Sequence, residues 1–269
     1  MQPSEISLII TTYDRPDALS KVFDGLKRQT QPPGEIIIAD DGSGAPTQEL
    51  IAKWASKMPA PLRHIRQENE GYRRTIILNQ CLAAARGSYF VILDGDCVPH
   101  AKFIVDHAGL AEKGCWVQGR RCYVRQSKVR FFAIDSTPVL RWMAQGKITG
   151  WPKGVRLPVP IIRRDTAQRG ILGCNMGFWR DDAMAVNGFD EEYTGWGGED
   201  SDIGTRFYHL GLKRKFVYGR AILYHLNHPW VDRKRPEDVQ RRLQATIDSD
   251  KVRCERGVGQ YLTGALKQP

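Results

Sequence analysis

The stretch Ile6-Ser7-Leu8-Ile9-Ile10-Thr11-Thr12 decides the fold. A run this apolar and β-branched offers no polar face to water, the pattern of a strand buried on both sides of a parallel sheet. Arg15-Pro16-Asp17 then starts a helix, with Pro16 in its first turn. Leu19, Val22, Phe23 and Leu26 give it an apolar stripe, and it ends near Thr30. Outward from there the alternation continues: a strand at Glu35–Ala39, a helix at Thr47–Ser56, a strand at Leu62–Arg66, a helix at Tyr72–Ala85 and a strand at Tyr89–Leu93. Short strands alternating with amphipathic helices predict an α/β fold, an open and mostly parallel sheet flanked by helices, with ligands beyond the strand C-termini.

Three polar clusters fall at that edge: Thr11-Thr12-Tyr13, Asp40-Asp41 and Asp94-Gly95-Asp96. Ordinary turn chemistry accounts for any one of them; three on one edge predict a shared site. Asp94 and Asp96, separated by a glycine at the end of a buried strand, suit a hard divalent cation that also takes diphosphate oxygens. A third ligand is His225 or His228 in Tyr224-His225-Leu226-Asn227-His228-Pro229, of which His225 follows a strand-like run and is favoured. In Gly195-Trp196-Gly197-Gly198-Glu199-Asp200-Ser201-Asp202 the glycines admit close backbone approach, Trp196 offers a flat face for a sugar ring, and the carboxylates fall in a helix's first turn. An acidic N-cap explains one or two of those carboxylates. A carboxylate held there near a hydroxyl is a candidate general base.

The chain has 269 residues, 41% hydrophobic and 26% charged, which excludes disorder and collagen-like repeats. Forty Lys and Arg against thirty Asp and Glu give +10, favouring anionic partners. The longest apolar runs are far below the roughly 18 residues that span a bilayer, and no basic-then-apolar leader opens the chain. The expectation is a cytoplasmic protein. Six cysteines without a Cys-x-x-Cys pair read as reduced thiols.

Beyond Asp96 the pattern loosens. Pro99–Glu112 reads as a helix, Cys115–Val124 as one strand and Lys128–Gln145 as helical. Gly146–Gly170, rich in Pro and Arg, reads as a loop or lid closing over the donor. A helix at Asp181–Val186, another at Glu199–Leu210, strands near Lys215–Tyr218 and Ala221–His225, and a basic helix at Pro236–Arg256 follow.

Taken in order, Ile9-Ile10-Thr11-Thr12-Tyr13-Asp14-Arg15-Pro16, Ala39-Asp40-Asp41-Gly42-Ser43 and Leu93-Asp94-Gly95-Asp96 resemble the N-terminal signatures of glycosyltransferase family 2, inverting enzymes of the GT-A fold. Gly173-Cys174-Asn175-Met176, Asn187-Gly188-Phe189-Asp190-Glu191 and Gly195 to Asp202 are similar to the C-terminal segment of β-1,4-galactosyltransferases and bacterial chondroitin-polymerase-like enzymes. The resemblance covers most of the chain. It implies one GT-A domain: residues 1–97 for the nucleotide-sugar, 98–230 with an irregular acceptor-binding and catalytic half, and 231–269 as a basic helical tail. It further implies that Thr11, Tyr13 and Asp41 bind the uridine of a UDP-sugar, that Asp94 with Gly95 contacts the donor ribose or sugar, and that Asp96 and His225 hold Mn²⁺ or Mg²⁺. Asp200 becomes the base, and Trp196, Glu199 and Asn175 contact the acceptor. Where many family members carry Ala-Arg-Asn, this chain has Ile76-Ile77-Leu78-Asn79 after an earlier Arg73-Arg74 pair; Arg73 is assigned to the diphosphate or base, with Arg74 the alternative and a solvated face for both the competing reading. Lacking the membrane stem of animal galactosyltransferases, the chain reads as a bacterial enzyme of surface polysaccharide or lipopolysaccharide synthesis, acting on a glycan or lipid-linked acceptor.

Two other classes compete. A nucleotidyltransferase shares the α/β fold and acidic metal ligands, but Thr11-Thr12-Tyr13 stands where its glycine-rich basic loop belongs. A non-enzymatic nucleic-acid- or membrane-surface-binding protein would use the charge, yet no nucleic-acid motif is present, and the expectation is no nucleic-acid partner. Arg233, Lys234, Arg235, Arg241, Arg242, Lys251, Arg253 and Arg256 instead form a candidate contact for anionic lipid at the inner leaflet, with a solvated helix face as the competing reading.

Overall fold

The computed structural model describes residues 1–229 and 237–262. Its first strands and helices are β1 (Ile6–Thr12), α1 (Pro16–Lys27), β2 (Glu35–Asp40), α2 (Ala45–Ala55), β3 (Leu62–Arg66), α3 (Arg74–Ala84) and β4 (Tyr89–Asp94). These ends lie close to those the hydrophobic pattern predicts, because burial on both faces imposes the pattern directly. In β1, Ile6, Leu8 and Ile10 enter the core layer that contains α1, while Ile9 enters the opposite layer with α3. All four are fully buried, and each such side chain stabilises the fold by about 1.5–3 kcal/mol relative to exposure.

The chain continues through β5 (Cys97–Pro99), α4 (Phe103–Leu110), β6 (Cys115–Gln118), β7 (Arg120–Val124), α5 (Gln126–Val129), α6 (Val139–Ala144), β8 (Ile148–Thr149), β9 (Ile161–Asp165), β10 (Asn175–Trp179), α7 (Arg180–Ala185), α8 (Glu199–His209), β11 (Lys213–Tyr218), β12 (Ile222–Leu226), α9 (Glu237–Ile247) and α10 (Gly259–Leu262). Among the described residues the strands make an eight-stranded sheet, β3-β2-β1-β4-β10-β6-β11-β9, and a four-stranded sheet, β5-β12-β7-β8. β1 to β4 are parallel, as predicted, but β10 runs antiparallel to both its neighbours and β9 antiparallel to β11. The large sheet therefore takes strands from both sides of residue 97.

Four expectations for the second half need correction. The strand predicted over Cys115–Val124 is two strands in different sheets, parting at Gly119. A Cβ there would stand 2.4 Å from the Asn175 amide, so the chain crosses between sheets where only glycine fits. The helix predicted over Lys128–Gln145 is the two short helices α5 and α6. The predicted loop over Gly146–Gly170 contains β8 and β9, and β9 pairs with β11 from Asp165↔Arg214 to Ile161↔Tyr218. As an outermost strand it carries Arg163 and Arg164 and lacks the apolar signature of an inner one. The basic helix predicted over Pro236–Arg256 is α9, which ends at Ile247, so Lys251, Arg253 and Arg256 lie beyond it; Arg233, Lys234 and Arg235 fall outside the described residues. All six cysteines are buried and unbridged. No helix among the described residues is long and apolar enough to cross a membrane.

Candidate active site

The loops after β1 and β2 are tied into one unit. Asp14 takes a positive φ of 41°, donates its backbone N–H to Ser43 Oγ at 3.0 Å and accepts the Gly44 N–H at 2.8 Å. Asp40 accepts the Ser43 N–H and lies 2.8 Å from His64 Nε2. Burial raises the Asp40 pKa, but those partners outweigh it and the net shift is downward. At Asp41 burial prevails and the carboxyl is pushed up, although it accepts the Arg73 backbone N–H at 3.0 Å and the Gln67 side-chain amide. Tyr13 is half exposed, its hydroxyl accepting from Asn69 Nδ2 at 3.1 Å. Thr11, Tyr13 and Asp41 thus share the rim that the three strand ends form.

At the end of β4, Gly95 donates its N–H to the Thr11 carbonyl at 2.7 Å. A Cβ at Gly95 would approach that oxygen to 2.8 Å, so the turn needs glycine. The two aspartates diverge. Asp94 Oδ1 accepts from Thr11 Oγ1 at 3.1 Å and from Arg74 Nη2 at 3.0 Å. Asp96 Oδ2 lies 3.4 Å from His225 Nε2 and 3.7 Å from His228 Nε2. One ligand atom from each of Asp96, His225 and His228 falls within 4.8 Å of the others, so the chain places both candidate histidines, not one, on the same carboxylate. Burial acts to raise the Asp96 pKa; the hydrogen bond and charge of His225, then His228, hold it below the usual range. A carboxylate with two imidazoles is a donor set that fits Mn²⁺.

Helix α8 presents the second group. Arg74 spans the two, pairing with Asp94 and, at 3.3 Å through Nη1, with Glu199 Oε1. Burial opposes its charge, but Asp94, Tyr72, Glu199 and Asp200 together hold it protonated. Glu199 Oε1 also accepts the Tyr72 hydroxyl at 3.3 Å. Its Oε2 is buried with no donor among the described residues, and burial followed by the Asp200 charge pushes its pKa up. Asp200 accepts backbone N–H groups of Gly173 at 2.9 Å and Ser201 at 2.8 Å. Trp196 is half-buried rather than standing out of the turn. Asp202 faces inward and forms a fully buried pair with Arg206 at 2.6 Å; Arg206 also donates to the Val186 and Gly188 carbonyls.

Asn175 corrects the sequence reading. It is fully buried, its Nδ2 donates to the Arg120 and Ala221 carbonyls, and its Oδ1 lies 3.0 Å from His107 Nε2. With its amide engaged on both atoms it locks the junction of the two sheets and has nothing left for an acceptor. Arg73 is likewise turned away: its guanidinium meets Glu70 and the Glu68 carbonyl, and only its backbone N–H reaches Asp41. Arg74, three and four residues before the buried Ile77 and Leu78, occupies the inward face of α3. That spacing was the available signal. Tyr72, and Tyr123, whose ring meets His225 edge-on at 5.5 Å, carried no comparable signal.

Residues 7–166 match the glycosyl transferase family 2 description, more than half of the chain. The chain belongs to that family. Residues 159–229 match the N-terminal domain of galactosyltransferase. Among curated relatives of this family 2 chain, the chondroitin synthase of Escherichia coli is 27% identical over 265 residues, aligning with 92% of the chain and 38% of that protein. A validoxylamine A glucosyltransferase of Streptomyces hygroscopicus subsp. limoneus is 26% identical over 227 residues, covering 77% of the chain and 48% of the relative. The chain therefore spans less than half the length of either. In fold it is similar to S. aureus TarS 1-349 in complex with UDP, with a TM-score of 0.62 at 13% identity over 95% of this chain and 68% of that one. A Pyrobaculum calidifontis mannosyltransferase in complex with GDP-Man and Mn²⁺ gives a TM-score of 0.57 at 20% identity over 82% of this chain and 56% of that one. The sheet and its helices are those of GT-A glycosyltransferases.

Proposed function

We propose that the chain transfers a hexose or N-acetylhexosamine from a UDP-sugar to a hydroxyl of a glycan or lipid-linked acceptor, with inversion and with a divalent metal ion, in surface polysaccharide synthesis. The observation that carries this reading is the convergence of Asp96, His225 and His228 at the end of β4, beside the strand-end loops of β1 and β2. Those three residues would hold Mn²⁺, which supplies charge neutralisation for the diphosphate leaving group. The structural neighbours in complex with UDP and with GDP-Man and Mn²⁺ support a nucleotide-sugar donor.

The chain's own residues do the rest. Thr11, Tyr13 and Asp41 line the base and ribose end, and Asp94, oriented by Thr11 and Arg74, faces the donor sugar. Asp200, fixed by two backbone N–H groups, takes the proton of the acceptor hydroxyl. That oxygen bonds to the anomeric carbon as the bond to the diphosphate oxygen breaks, on the opposite face. Glu199 Oε2, a buried acceptor without a donor among the described residues, fits a sugar hydroxyl. Trp196, half-buried in the same turn, is assigned to the acceptor with it. Residues 1–97 serve the donor and 98–230 the acceptor, within one domain.

The test is a panel of UDP-sugars, with GDP-mannose as control, assayed for Mn²⁺-dependent hydrolysis or transfer by the wild type, Asp96→Ala and Asp200→Asn. The reading requires turnover to fall in both variants while Asp200→Asn still binds the donor. Absence of donor binding with and without metal rejects it.

A further inference from the structure

The charge of this chain is not spread over it. Residues 120–170 contain twelve Lys and Arg against two Asp and Glu, a formal +10; the whole chain has 40 against 30, so all other residues balance at 28 against 28. The same segment holds five of the eight large apolar side chains that stand exposed among the described residues: Phe131 (56%), Leu140 (62%), Trp151 (67%), Val159 (75%) and Ile161 (62%). Of its cations, Arg156, Arg163 and Arg164 are paired with Asp106, Asp165 and Glu112. Lys128, Arg130, Arg141, Lys147 and Lys153 have no carboxylate partner among the described residues, and Asp135 is taken by Arg28.

This segment contributes an outer strand to each sheet. β8 is the outer strand of the small sheet and β9 that of the large one, and the chain between them carries Trp151 and Val159. Trp151 and Ile161 line one apolar groove with Leu157 and Tyr218. Lys128 and Arg130 stand over the Phe131 ring. The basic helix near the end of the chain, a candidate lipid contact in the sequence, lacks this character: α9 carries Glu237 and Asp238 as well as Arg241 and Arg242 and is formally neutral.

We propose that this basic, apolar face between residues 126 and 164 docks the protein on an anionic phospholipid bilayer. Cations without carboxylate partners answer the lipid phosphates, and exposed Trp, Val, Ile and Leu side chains enter the headgroup boundary, the combination that binds interfaces. A second copy of the same face is repelled by its charge. An anionic glycan would use the cations but gains nothing from Val159, Ile161 or Leu140. Docking there also serves the site: β8 pairs with β7, which pairs with β12, so Thr149 lies across Tyr123 from His225. Two strand spacings, about 10 Å, separate the docked edge from the strand carrying a candidate metal ligand.

The experiment is co-sedimentation of the full chain with phosphatidylcholine vesicles, with and without phosphatidylglycerol, at near-physiological salt, a readout that involves no sugar transfer and is independent of the donor reading. The wild type binds only the anionic vesicles. Trp151→Ser/Val159→Ser/Ile161→Ser and Lys128→Ser/Arg130→Ser/Arg141→Ser/Lys147→Ser each weaken binding by at least about tenfold with an unchanged circular dichroism spectrum, whereas Arg241→Ser/Arg242→Ser binds as wild type. Brominated lipid quenches tryptophan fluorescence in the wild type and less so in Trp151→Phe. Equal binding to neutral vesicles, no binding to either, or undiminished binding by the apolar triple variant overturns the proposal; the last outcome leaves a contact by charge alone, with no part for the apolar side chains. Loss of binding in the α9 variant returns the contact to the C-terminal helix.

Discussion

Two carboxylate turns flank the site and are joined by one arginine, yet they are held differently. In Asp94-Gly95-Asp96 the strand end splits the pair: Asp94 is committed to Thr11 and Arg74, whereas among the described residues the Asp96 carboxylate meets only imidazoles and the Cys97 thiol. In Glu199-Asp200-Ser201-Asp202 the helix splits the set three ways. Glu199 turns to Arg74 and Tyr72, Asp200 accepts backbone N–H groups beside the site, and Asp202 sinks onto Arg206. Imidazole neighbours, themselves metal ligands, let Asp96 share a cation with them; the buried guanidinium of Arg206 makes Asp202 structural. The residue type is the same and the partner decides the work.

The largest effect that would break this comparison is at Asp96. Asp96→Ala should abolish Mn²⁺ binding in calorimetry and lower turnover by at least about a thousandfold; retention of both would mean the two turns are not chemically distinct. Within the helix turn, Asp200→Asn should lower kcat by about 10²–10⁴-fold with donor binding kept, since a positioned base contributes that much. Asp202→Ala leaves Arg206 charged and fully buried without its carboxylate, and urea unfolding should register a loss of about 3–5 kcal/mol. Asp200→Asn, half-buried in the same turn and keeping an acceptor oxygen for its backbone partners, should stay within about 1 kcal/mol of wild type.

A further effect concerns a residue that only the fold explains. Because Asn175 spends its N–H groups on two carbonyls, its oxygen must accept from His107 Nε2–H, leaving Nδ1 unprotonated and without a partner among the described residues. Burial pushes the His107 pKa down to about 4, from 6.5, against smaller opposing contributions from Asn175 and Asp106. Between those values the unfolded chain binds a proton that the folded chain refuses. Stability from this group is therefore present above about pH 6.5 and lost as the pH falls toward 4, by on the order of 3 kcal/mol at about 1.4 kcal/mol per pH unit. Thermal melts should show that slope and His107→Gln should flatten it; an equal slope in the variant would place the acid sensitivity elsewhere.

Most of the strand-end cluster is readable because it is local. β1, β2, β3 and β4 announce themselves by continuous apolar runs, and Thr11, Asp41, Asp94 and Asp96 follow as the residues at which those runs stop. Arg74 is within reach of the sequence, since its spacing to Ile77 and Leu78 marks the inward face of α3. Asn175 misled because a polar residue in a glycine-flanked motif looks like a ligand contact, and burial is not written in the motif.

What the sequence alone determined is the parallel core, the family and the identity of the strand-end carboxylates, since each depends on hydrophobic periodicity or on short ordered motifs. Tertiary structure alone decided that β10 enters the sheet antiparallel, that Cys115–Val124 divides between two sheets at Gly119, and that β9 closes an edge from a stretch that reads as loop. It also brought His225 and His228, about 130 residues downstream of Asp96, onto one carboxylate. The physical reason is the same in each case. A strand's pairing partner and a ligand's neighbours are set by contacts between segments remote in the chain, and local sequence encodes which residues are buried but not against what.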